Sequence, residues 1–151
     1  MRTLVIGVGN LLRCDDGVGI HVVERLGEVA PGIDTLDVAL GSIEILEAMR
    51  CRDRVFIVDA IQTGGEPGTI YRVDLSMGEE PPRVAHSHGV DLLTTLKLGE
   101  SLYLGEMPKE IVLLAVEARD VTTLSESCTH EVQASVEKVV EMILGFEKKC
   151  G

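Results

Sequence analysis

Three short, unbroken apolar runs constrain this chain most: "TLVIGVG" from Thr3, "RVFIVDA" from Arg54 and "EIVLLAVEA" from Glu110. Each reads as a strand buried on both faces, and the first two close on a glycine or an acid. Between them the apolar period changes. Val18, Val22, Val23 and Leu26 recur at helical spacing with Gly27 near the stop, and "SIEILEAMR" opens on Ser42 as an N-cap. Helical spacing returns in "HGVDLLTTLKL" through Val90, Leu93, Leu96 and Lys97. It returns again from about Thr129 to Phe146, where Val132, Val136, Val139, Val140 and Ile143 share one stripe. "IDTLDVAL" alternates like a strand, and "TIYRVDL", after the turn-rich "QTGGEPG", runs back as a hairpin or edge strand. Strands alternating with helices predict a three-layer α/β/α fold of the phosphorylase/hydrolase-like kind. Its sheet has about five strands, mostly parallel, with one antiparallel. The length of 151 residues fits a single domain over 1–151.

The charge narrows the partners. Twenty-five acidic against fourteen basic side chains leave −11, which repels phosphate backbones, and no basic stripe offsets it; nucleic acid is not expected. No segment has the length and uniformity of a membrane helix. The six-residue "LVIGVG" lacks a small-residue cleavage site and reads as a strand rather than a signal peptide, so a cytoplasmic location is the expectation. Cys14, Cys51, Cys128 and Cys150 form no C-x-x-C pair and read as reduced thiols.

Parallel strands deliver their outgoing loops to one rim, where sites form. The first strand brings Asn10, Asp15 and Asp16 there, the second ends in Asp59, and the proline-containing loop "SMGEEPPRVAHS" leads to His86 and His88. "GVGNLLRCDDGVG" opens like a dinucleotide fingerprint, but the third glycine of G-x-G-x-x-G is replaced by Leu12. That substitution compromises the approach to a pyrophosphate and the close helix–strand contact. Two adjacent carboxylates would also repel the phosphates. A divalent cation fits the charges better: it offsets paired carboxylates, and an imidazole adds a ligand suited to nickel, zinc or iron. Two carboxylates and one histidine leave positions open for a substrate.

"GVGNLLRCDDGVG", "IVDA" at a strand end and "SHG" before a helix, in this order and spacing along nearly the whole chain, resemble the hydrogenase maturation endopeptidases. That family trims the C-terminal tail of the large subunit of nickel–iron hydrogenases. The resemblance implies that Asp16, Asp59 and His88 bind the metal and that cleavage follows nickel insertion. Nickel would then arrive with the precursor, with another divalent metal able to substitute. Asn10 reads first as a turn residue whose amide holds the loop and, with Asp37, is a candidate substrate contact. The glycines of "GVGN" and "DDGVG" would let the backbone turn tightly at the rim. Some relatives carry glutamate at the position of Asp16, and many carry D-G-G-T where this chain has "DVAL", Asp37 to Leu40.

Plainer roles compete at each position. Asp16 or Asp15 could cap the helix that follows, Asp59 could merely end its strand, and His88 could be a solvated loop histidine with His86 as its substitute. His21 and His130 suit structural or surface positions, and Glu44 and Glu47 suit a solvated helix face. Cys14 is not assigned as a nucleophile. The alternatives to a peptidase are a Rossmann-like nucleotide-binding module and a non-catalytic metal-binding assembly factor.

Overall fold

In a computed structural model, residues 2–39, 43–82 and 89–150 are described. In chain order the elements are β1 (Thr3–Val8), a turn of 3-10 helix (Cys14–Gly17), α1 (Val18–Val29), β2 (Asp34–Val38) and α2 (Ile43–Met49). They continue with β3 (Arg54–Ile61), β4 (Ile70–Asp74), α3 (Gly89–Leu102), β5 (Glu110–Glu117) and α4 (His130–Cys150). The sheet order is β2-β1-β3-β5-β4. Four strands are parallel, and β4 alone runs against its neighbour β5.

The three apolar runs are the three inner strands, and all eight residues of β3 are buried. Val5, Phe56, Val58, Val112 and Leu114 pack under α1 and α4, against Val22, Leu26, Val136, Val139 and Ile143. Leu4, Ile6, Ile57 and Leu113 alternate with them onto the other face, against Ile45 and Met49 of α2 and Leu92 and Leu96 of α3. Both faces of the sheet are therefore covered, which is why these strands read as continuous apolar runs. Among the described residues, no helix is long and apolar enough to cross a membrane.

Of the two placements expected for "TIYRVDL", the structure takes the edge strand: β5 inserts between β3 and β4, so no β3–β4 hairpin forms. The strand in "IDTLDVAL" stops at Val38, where its ladder with β1 ends at the pair Val8–Val38. Leu40 and the proposed N-cap Ser42 lie outside the described residues.

Helix α1 crosses the sheet at unusually short range. A Cβ on Gly7 would stand 2.3 Å from the Gly19 carbonyl oxygen, and one on Gly19 would stand 2.4 Å from that of Val58. The close helix–strand contact expected to be lost with the third fingerprint glycine is thus made by another glycine pair. Among the glycines of "GVGN" and "DDGVG", Gly9 alone has a positive φ, +147°, and a Cβ there would meet the Asp16 carbonyl at 1.9 Å.

Candidate active site

Two of the buried carboxylates at the carboxyl ends of β1 and β3 are expected site residues. Asp16 is 9 % exposed and sits in the 3-10 turn after β1; Asp59 is 2 % exposed and lies near the end of β3. Asp16 does not cap α1, whose N-cap is Gly17 without a side-chain bond. Its Oδ2 turns back and accepts the Asn10 amide at 2.9 Å. Asp59 Oδ1 accepts the amide of Ala60 at 2.8 Å. Backbone donors of this kind set the direction of a carboxylate, as partners behind metal ligands do. The two loops are registered through Gly19, three residues after Asp16, which seats on the carbonyl of Val58 beside Asp59.

The loop amides decide what the rim can hold. Gly9 N donates to Val38 O, Arg13 N to Asn10 O, Cys14 N to Ser125 O, Asp15 N to Asp120 O and Asp16 N to Arg13 O. Asn10 N is held by Asp16, and Leu12 N by the Asn10 side-chain oxygen at 3.0 Å. Seven backbone donors that a phosphate cradle would present outward are spent on protein acceptors, four within the loop and three on Val38, Asp120 and Ser125. A strand end that resembles a nucleotide loop is built here as a carboxylate mount.

The remaining expected residues fall in different places. Asn10 is exposed, and its side chain closes the loop through Leu12. Asp37 is exposed on β2 opposite Gly7, facing the α1 side, whereas Asp59 alternates with Ile57 and Ile61 onto the α2–α3 side. These two acids therefore point to opposite faces of the sheet. His86 and His88 lie outside the described residues. Among the described residues, no three His, Cys, Asp or Glu side chains group as a metal site. His21 Nε2 lies 2.9 Å from the Glu126 carbonyl oxygen, His130 opens α4 on the surface, and Glu44 and Glu47 are exposed.

Neither described thiol near the rim is poised as a thiolate. Burial, then the adjacent Asp15 carboxylate, raises the pKa of Cys14. Burial, then Asp15, pushes Cys128 up to about 12. Both stay protonated at neutral pH, and the thiolate is the reactive form.

Glu117 was not singled out from sequence. It is 1 % exposed at the end of β5 and accepts Thr63 N at 2.8 Å, the Thr63 hydroxyl, and Tyr71 OH at 3.1 Å. It lies opposite Ile61 in the ladder, so it shares the face of Asp59 and pins the loop leaving β3. Its signal was available: an acid closing a long apolar run must find partners.

Comparison with known proteins accords with this architecture. The hydrogenase maturation protease family matches residues 20–146. The hydrogenase 2 maturation protease of Escherichia coli K12 is 31% identical over 100% of this chain and 93% of its own. Among solved structures, the hydrogenase maturating endopeptidase HybD from E. coli superposes with a TM-score of 0.80 at 29% identity, covering 100% of this chain and 94% of that one. The [NiFe] hydrogenase maturation protease HybD from Thermococcus kodakarensis gives 0.78 at 27%, covering 97% and 99%. A doubly covered sheet, a rim built around buried carboxylates and a match over most of the chain lead to one assignment: this protein belongs to the hydrogenase maturation protease family and is a hydrolase.

Proposed function

We propose that this enzyme removes the C-terminal peptide of a nickel–iron hydrogenase large-subunit precursor after nickel insertion, recognising the nickel through Asp16, Asp59 and His88. The observation that carries the reading is the pair Asp16 and Asp59. Two buried carboxylates leave the ends of adjacent parallel strands, each oriented by a backbone amide, in a chain of this family. Paired carboxylates favour a divalent cation, and an imidazole completes a donor set suited to nickel. His88, the first residue before α3, is the proposed third ligand.

In this reading nickel belongs to the substrate. Gripping it holds the precursor so that one peptide bond lies in the cleft, and such positioning lowers the barrier to its hydrolysis. Water adds to the scissile carbonyl carbon, the C–N bond breaks, and the new amine takes a proton. The water is activated either by the nickel or by a carboxylate oxygen that the nickel does not occupy, which takes the proton the water loses. The setting is cytoplasmic, and neither nucleic acid nor a membrane takes part.

The test is incubation with nickel-loaded precursor followed by mass spectrometry. Loss of one C-terminal peptide supports the reading. Binding without cleavage would mark an assembly factor instead.

A further inference from the structure

Asp15 stands beside Asp16 in the sequence but does a different job. Its side chain is 0 % exposed. Oδ2 accepts the amides of Arg119 at 2.9 Å and Asp120 at 3.0 Å, and Oδ1 accepts that of Thr129 at 2.7 Å. The Thr129 hydroxyl lies 2.8 and 3.0 Å from the two oxygens. The Asp15 amide donates in return to the Asp120 carbonyl at 2.9 Å. Every one of these partners lies in the loop between β5 and α4, more than a hundred residues away in the chain. Two more bonds join the same segments: Ser125 N to Leu12 O at 3.0 Å and Cys14 N to Ser125 O at 2.8 Å.

We infer that Asp15 is a positioning residue: by fastening the 3-10 turn to the β5–α4 loop, it fixes the direction of the Asp16 carboxylate. A 3-10 turn places successive side chains about a third of a revolution apart. Once Asp15 is held by three amides and a hydroxyl, the turn cannot rotate about its axis. Asp16 then stays aimed at Asn10 and the rim. Such partners behind a ligand commonly govern metal affinity. The nickel part of this inference rests on the function proposed above; the orientation of Asp16 does not.

The experiment uses the full-length chain as wild type, Asp15→Asn, Thr129→Val, Thr129→Ser and Asp16→Asn. It measures hydrogen exchange at the Asn10 amide, nickel chloride affinity by calorimetry, and the thermal midpoint. In folded Asp15→Asn, Asn10 should exchange at least about tenfold faster and nickel should bind about 10- to 100-fold more weakly. Thr129→Val should move both in the same direction by roughly threefold, and Thr129→Ser should match wild type. Should Asp15→Asn not fold, Thr129→Val decides. A lower midpoint with unchanged Asn10 exchange and unchanged nickel affinity overturns the inference and makes Asp15 purely structural. If wild type binds no nickel in an Asp16-dependent way, the proposed function fails, and Asn10 exchange alone decides the role of Asp15.

Discussion

Gly19 rests against the carbonyl oxygen of Val58 so closely that a Cβ would stand 2.4 Å from it and 3.0 Å from both the amide nitrogen and the carbonyl oxygen of Val8. This contact sets the height of α1 over the sheet and thereby the place of the turn that carries Asp16. Gly19→Ala should cost about 3 kcal/mol in urea denaturation, because the atoms met are backbone and cannot yield. Gly145→Ala, in α4 with nothing within 4 Å, should gain up to about 1 kcal/mol. Equal stabilities for the two variants would contradict the contact.

Glu117 should be a structural carboxylate. Glu117→Ala strands the Thr63 amide and the Tyr71 hydroxyl in a partly buried site, and a loss of about 1 to 3 kcal/mol is expected. A change under about 0.5 kcal/mol, the range of ordinary surface substitutions, would show that the cluster does not hold the loop.

The β5–α4 loop should respond to acid. The hydroxyl and amide of Thr123 and the amide of Thr122 lower the Asp120 pKa from 3.8 to about 2. A carboxyl depressed in the folded state stabilises it above the unfolded value. That contribution is complete above about pH 4 and is lost as pH falls from there through about 2. Carboxyl chemical shifts should titrate near 2 in wild type and higher in Thr123→Val. A wild-type midpoint at 3.8 would remove the claim.

Thiol chemistry should discriminate among the described cysteines. Cys51 is exposed, whereas burial and Asp15 hold Cys14 and Cys128 protonated. Iodoacetamide at pH 8 should label Cys51 and spare the other two. Processing of the precursor should survive that labelling, since the proposed function uses no described thiol. Inactivation tracking Cys14 would reverse the assignment.

The strands were legible because burial on both faces removes alternation, leaving short apolar runs that only inner strands need. The neighbour of β4 was not legible: its partner β5 comes about 40 residues later in the chain, and "TIYRVDL" carries no mark of that non-local pairing. Asp15 and Asp16 are chemically identical neighbours; the family resemblance singles out Asp16, but no local pattern names the distant loop that Asp15 fastens. Gly7 and Gly19 looked like turn formers, and only the helix-to-sheet distance reveals them as contact points.

The most direct measurement is anomalous diffraction at the nickel edge from crystals soaked in nickel chloride. The account predicts a peak within about 2.2 Å of carboxylate oxygens of both Asp16 and Asp59 and of a ring nitrogen of His88. Nickel bound elsewhere, with those three side chains too far apart to share an ion, would contradict it.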